Sequence, residues 1–211
     1  MSFIDNTYFV GEINIPNQKI NTIVLDQAIF QYEKEILIKL LGYKLYSLLM
    51  ADLDVSGNPQ TQIYIDLVNG AEFTHTYRGQ QVLLKWEGLK NADKQSLIAY
   101  YTFYQYVLRD VTHLSGTGVI MTPSGKGNRA SSVNKLVNAW ERMRLLYGII
   151  PPEFKRYYEI QSFYYHTPVF GCSFLSVFNY DASAYNFLFA NRANYPEWIF
   201  KPQWNINAFG I

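Results

Sequence analysis

Apolar residues recur at intervals of three and four through the stretch from Leu25 to Leu53, with Leu25, Ile29, Tyr32, Ile36 and Leu40 forming a stripe that Phe30, Leu37 and Leu41 widen. Gln27, Gln31, Lys34, Glu35 and Lys39 lie mostly opposite, which is the pattern of an amphipathic helix. Gly42 follows the Leu40-Leu41 pair where a helix stop needs no side chain, and Tyr43, Leu45, Tyr46, Leu48, Leu49 and Leu53 restart an apolar helical face. Two helices are therefore expected to meet at a glycine corner.

Residues 1–21 mix Phe3, Ile4, Tyr8, Phe9, Val10, Ile13 and Ile15 with Gly11, Asn14, Pro16 and Asn17, in short alternation without a helical period. They read as an extended arm or edge strand, mobile unless docked. Beyond the helix pair, the turn residues of 54–59 predict a loop, and Gln60 to Asn69 a short helix ended by Gly70. From Phe73 to Trp86 the period becomes two on either side of Arg78-Gly79, which predicts a β-hairpin. Asn91 can cap the next helix, whose stripe Leu97, Tyr101, Tyr104, Leu108 and Val111 is broadened by Ile98, Tyr100, Phe103 and Val107. Gln95, Thr102, Gln105, Arg109 and Asp110 leave that helix a narrow polar edge, so it should be central.

Ser115 to Ser132 is rich in Gly, Ser and Thr and reads as one long loop. Ser131 or Ser132 can cap a helix carrying Val133, Leu136, Val137, Trp140, Met143 and Tyr147, which Gly148 and Pro151-Pro152 end. A short helix from Glu153 to about Tyr164 follows. Residues 163–211 hold many aromatics and few charges, and within them only Asp181 to Arg192 looks helical, with Asp181 as cap and Tyr185, Leu188 and Phe189 as its face. The expected organisation is a mainly α body over residues 1–162, with an N-terminal arm at 1–21 and a hairpin insertion, followed by an aromatic C-terminal arm at 163–211. That arm is too apolar for disorder and too aperiodic for its own core, so it should lie on the body or on a neighbour.

Composition sharpens the second possibility. Of 211 residues, 18 are Tyr, 14 Phe and 4 Trp, and the aromatic and charged fractions are equal at 17%. Rings with polar tips suit surfaces that become buried against another protein, although a Tyr-rich core would use them as well. Eighteen basic and seventeen acidic residues leave a formal charge of +1, so no whole-molecule field points to nucleic acid or an anionic membrane. The single Cys172 excludes an internal disulfide and a multi-cysteine metal site. The first residues lack a basic segment followed by an apolar run, and no apolar run approaches the ~20 residues that span a bilayer, so a soluble protein made in a cytoplasm is expected.

Candidate chemistry fails its own requirements. Counting back from Gly125-Lys126, the first glycine of a phosphate-binding loop should stand at Ile120, and Gly127 holds the place of the magnesium-binding Ser or Thr. Gly116-Thr117-Gly118 opens a dinucleotide pattern, but Met121 occupies the third glycine position and the segment follows a predicted helix. His75, His113 and His166 belong to no zinc-ligand spacing, no G-x-S-x-G elbow occurs, and nothing marks Cys172 as a thiolate. The expectation is a protein that is not an enzyme and takes no cofactor or metal. One charge feature stands out: Lys126, Arg129, Lys135, Arg142 and Arg144, opposed only by Glu141. It reads as a solvated helix face or as a contact for a phosphate backbone. As the second, it supports an alternative function, a small nucleic-acid-binding module with exposed tyrosines as stacking surface.

The stretches LLGYKLYSLLMADL and YRGQQVLLKWEGLKNADKQSLIAYYTFYQYVLRD resemble the head-tail connector (ring or adaptor) proteins of tailed bacteriophages. The likeness rests on the Leu40-Leu41-Gly42-Tyr43 corner, on Trp86-Glu87-Gly88-Leu89 and on the aromatic helix at Tyr100 to Tyr106, over roughly residues 23–147. The Tyr-, Asn- and Ile-rich composition is similar to that of crAss-like phages. The resemblance implies a helical-bundle subunit, without catalytic residues, in a ring of twelve copies at the head-tail junction of the virion. Its implied partners are further copies of itself, the portal protein, other connector or tail proteins, and phage DNA passing through the lumen, with no membrane. On that reading Trp198, Phe200, Trp204 and Phe209 are expected to anchor a neighbour, and Lys126, Arg129 and Lys135 to face the lumen or DNA.

Overall fold

The computed structural model describes residues 2–15, 22–77, 80–115, 118–121, 133–148 and 182–201. It is mainly helical. The elements are α1 (Thr22–Leu41), α2 (Tyr43–Ala51), α3 (Gln62–Asn69), β1 (Ala71–Tyr77), β2 (Gln80–Trp86), α4 (Leu97–Val111), β3 (Thr112–Ser115), β4 (Gly118–Met121), α5 (Val133–Tyr147) and α6 (Ala184–Ala190). The chain divides into two compact units. One is Met1–Ile36 with Leu89–Met143, the other Leu37–Gly88 with Arg144–Ile211, so the division falls inside both α1 and α5.

In the first unit the helical stripe of α1 is buried as its spacing requires: Leu25, Ile29, Tyr32 and Ile36 are all in the core. Tyr32 meets Tyr101 of α4 edge-on at 6.3 Å between ring centres. Trp140 of α5 lies 6.4 Å from Tyr101 and 4.7 Å from Tyr104. Phe30 departs from expectation: it is 55% exposed, because it lies about 100° round the helix from Ile29, off the line that Leu25, Ile29 and Ile36 draw down it. Thr102 departs the other way and is buried, so α4 has even less of a polar edge than its sequence suggests.

The helix cap differs too. Asn91 does not cap α4; its amide donates to Gln95 O and its carbonyl oxygen accepts from Gln95 N–H, closing the preceding turn. Ser96 takes the position, its Oγ accepting from Ile98 N–H at 3.1 Å while donating to Leu89 O at 2.7 Å.

Residues 2–15 are neither strand nor loose arm. Two single turns of 3₁₀ helix, Asn6–Tyr8 and Gly11–Ile13, fold the segment, and the Asp5 carboxylate caps the first by accepting from Thr7 N–H. Phe3, Ile4, Tyr8, Phe9, Ile13 and Ile15 are all buried. Full burial of such side chains stabilises by about 1.5–3 kcal/mol each before ordering costs, so apolar contact supplies most of the strap's docking. Part of the expected 115–132 loop is also structured: β3 and β4 pair antiparallel, Thr112 opposite Met121 and Ser115 opposite Gly118. The caps at Ser131 or Ser132, the helix at 153–164 and the Asp181 cap lie outside the described residues.

In the second unit the expected hairpin is present, β1 and β2 pairing antiparallel from Ala71 opposite Trp86 to Tyr77 opposite Gln80. α3 ends at Gly70 as expected. The Trp86 indole N–H donates to Leu67 O at 2.9 Å, which ties the hairpin to α3. α6 packs on β1. It is capped by Ser183, whose Oγ accepts from Asn186 N–H. Its buried face includes Phe187, which meets Phe73 edge-on at 5.5 Å and stacks near Trp86, whereas Phe189, expected inside, is exposed.

Candidate interaction surface at the Gly42 corner

The last four carbonyls of an α-helix have no partner within it, so a helix that ends inside a protein must find donors for them elsewhere. At the end of α1 all four are met. Gly42 N–H donates to Ile38 O at 3.0 Å, Lys201 N–H to Lys39 O at 3.0 Å, the Trp198 indole N–H to Leu40 O at 2.8 Å, and Ile199 N–H to Leu41 O at 3.2 Å. Three of those donors belong to one four-residue stretch far away in sequence. Gly42 itself has φ +78, a conformation that suits glycine, and a Cβ there would stand 3.1 Å from that of Ile199. The glycine therefore turns the chain and lets residues 198–201 lie against the corner.

Behind that stretch lies an aromatic cluster. Tyr185 has Phe200 at 4.7 Å, Trp198 at 5.5 Å and Phe189 at 5.8 Å, the last stacked. Tyr147 lies 5.1 Å from Phe200, and its hydroxyl donates to Lys201 O at 2.6 Å. Tyr195 donates to Ile63 O at 2.6 Å, and burial pushes its phenol well above the usual tyrosine range. Gly148 closes the cluster's far side: its φ is +92, and a Cβ added there would come within 2.5 Å of Tyr185 Cβ and 2.6 Å of Ser183 Oγ.

The structure places the sequence-derived anchors unevenly. Trp198 is only 6% exposed and bonded to α1, so it is an internal packing residue of its own unit and not a ring offered at the surface. The reason is the indole N–H: a helix end with free carbonyls is a better partner for it than water. Phe200 is half-buried against Tyr147, Tyr185 and Trp198. Trp204 and Phe209 lie outside the described residues. What stands outward at the corner is a pair given no contact role from sequence, Tyr43 (72% exposed) and Ile199 (64% exposed). Beside them the exposed ammonium of Lys44 lies 3.5 Å from the Glu197 carboxylate. Tyr43 was legible as part of a helical face and of the glycine corner; the half turn of about 200° from it to Leu45 decides which side is buried.

Of the basic residues, Lys135 is exposed on α5, and Arg142 lies 3.8 Å from Glu12 within the first unit. Lys126 and Arg129 lie outside the described residues. The loop after α2 holds two carboxylates with lowered pKa. Burial alone would raise Asp52, but bonds from the Thr61 hydroxyl and from the N–H groups of Thr61 and Gln60 outweigh it; the N–H groups of Asn58 and Ser56 lower Asp54. These bonds close the turn. Among the described residues no three His, Cys, Asp or Glu side chains gather as metal ligands, and no helix is long and apolar enough to cross a membrane. No family model, no curated protein and no solved structure matches the chain.

Proposed function

We propose that the chain is a structural, non-catalytic subunit of a tailed-phage head-tail connector, a helical-bundle protein that assembles with copies of itself into a ring and meets portal and tail components at its two faces. The observation that carries this reading is the outward pair Tyr43 and Ile199, seated on the Leu-Gly-Tyr corner that the connector resemblance rests on. A large exposed ring and an exposed branched aliphatic side chain, held on a corner fixed by four hydrogen bonds, form a rigid apolar contact of the kind that closes head-to-tail around a ring. Phe189 and Leu83, also exposed in the second unit, add apolar surface of the same kind. The aromatic residues beyond 201, Trp204 and Phe209, keep their proposed role as contacts to a neighbour.

Sedimentation and native mass spectrometry of the full chain test this. A closed oligomer is expected, and replacing Tyr43 and Ile199 together by Ser, both exposed, should shift it at least tenfold toward monomer with circular dichroism unchanged. A chain that stays monomeric at high micromolar concentration, or an oligomer indifferent to the double substitution, overturns the role of the corner. Salt-sensitive DNA binding by the monomer, weakened by Lys135→Ala, would instead support the nucleic-acid-binding alternative, for which the exposed Lys135 is the available observation.

A further inference from the structure

Glu33 lies on the buried side of α1 and is 4% exposed, an unusual position for a carboxylate. Its described hydrogen-bond partners come from the N-terminal strap. Ser2 Oγ donates to Oε2 at 2.5 Å, and Phe3 N–H points between the two oxygens at 3.1 and 3.0 Å. Of the charged groups near it in sequence, Lys34 and Asp26 of α1 and Asp5 of the strap are exposed, and Glu35 accepts from Tyr101 OH. Burial raises its pKa, and the hydrogen bonds from Ser2, Phe3 and Ile4 work against that rise. The strap's other polar contacts lie apart from it, Tyr8 OH donating to Asn91 O at 3.1 Å and Tyr100 OH to Glu12 at 2.8 Å.

We propose that Glu33 and residues 2–4 form a pH-graded latch, in which protonation of the buried carboxyl tightens the docking of the strap at 2–15 and ionisation loosens it. A buried carboxylate needs every donor it can find, and here the donors belong to a short strap outside the main helices, the kind of segment whose local opening costs least. When the strap lifts, the carboxyl meets water and returns to its ordinary range, so docking and proton binding are linked. Burial pushes Glu33 up to about 7 while the strap is docked, against 4.5 for an ordinary glutamate. The group therefore binds a proton more tightly in the docked state. Docking is strongest below pH 4.5, weakens as pH rises through 7, and is weakest above. Between pH 6 and pH 8 that difference amounts to about a tenfold fall in the docking equilibrium. The apolar burial of Phe3, Ile4, Tyr8 and Phe9 does not titrate, so the latch grades the strap's opening and does not simply release it.

Hydrogen exchange read by mass spectrometry on the full chain, over residues 2–15 and corrected for intrinsic rates, measures the opening directly. The expected result is about a tenfold loss of strap protection from pH 6 to pH 8 in the unaltered chain. Glu33→Gln should give a flat profile, which also separates Glu33 from any histidine or amino-terminal titration. Ser2→Ala, at an exposed position, removes one donor to the ionised form and should move the midpoint to higher pH. Strap protection independent of pH in the unaltered chain overturns the latch, as does an unchanged midpoint in Ser2→Ala. The same holds if Glu33→Gln keeps the full slope.

Discussion

The strap at residues 2–15 and the segment at residues 182–201 each lay aromatic side chains on a helical body, but they are held by different acceptors. Beneath the first is the carboxylate of Glu33, receiving Ser2 and Phe3. Beneath the second are main-chain carbonyls: Leu40, Leu41 and Lys39 of α1, and Ile63 at α3. A carbonyl cannot take up a proton in the physiological range, whereas a buried carboxylate can. One attachment therefore responds to pH and the other does not, although both bury aromatic side chains. The chemistry of the acceptor, more than the amount of apolar contact, decides whether a docked segment can be regulated.

The sharpest way to break this contrast is Trp198→Ala, which removes the indole bond to Leu40 O and leaves a void beside Tyr185 and Phe200. Chemical unfolding should show a loss of about 3–5 kcal/mol from the second unit, equal at pH 6 and pH 8. A loss that depends on pH would mean that the carbonyl-held segment is coupled to a titrating group after all. Gly148→Ala should follow at about 2 kcal/mol, since it adds a Cβ at positive φ into contact with Tyr185 and Ser183. Hydrogen exchange should then rise over residues 183–201 and stay unchanged over the strap. The smallest effect belongs to Tyr8→Phe, which deletes the neutral bond to Asn91 O and should cost the strap about 1 kcal/mol. Its pH slope should remain that of the unaltered chain, because Glu33 is untouched.

Most helices and the first hairpin were readable because their burial is periodic and local. Leu25, Ile29, Ile36 and Leu40 on α1, and the alternation about Arg78-Gly79, need no information from elsewhere in the chain. Caps were harder. Asn91 and Ser96 both offer a suitable oxygen before α4, and only backbone geometry selects Ser96. The site residues were hardest because their roles depend on distant partners. Glu33 lies within Tyr32-Glu33-Lys34-Glu35, where any one charge reads as solvated, and its burial follows from a contact thirty residues back. Trp198, in a proline-flanked aromatic stretch, reads as surface until the end of α1 is brought to it. Tyr43 and Ile199 were hidden for the converse reason, since exposure of an apolar side chain leaves no mark in a sequence.

The hydrogen-bonded end of α1 also makes an evolutionary demand. Each residue turns an α-helix by about 100°, so inserting or deleting a single one among Leu37 to Leu41 would swing the fringe of carbonyls away from Trp198, Ile199 and Lys201 all at once. The length of this helical turn should therefore be fixed among descendants of the gene even where its side chains drift, and a compensating change would have to arise some 160 positions downstream, as the separation of 158 between Leu40 and Trp198 implies.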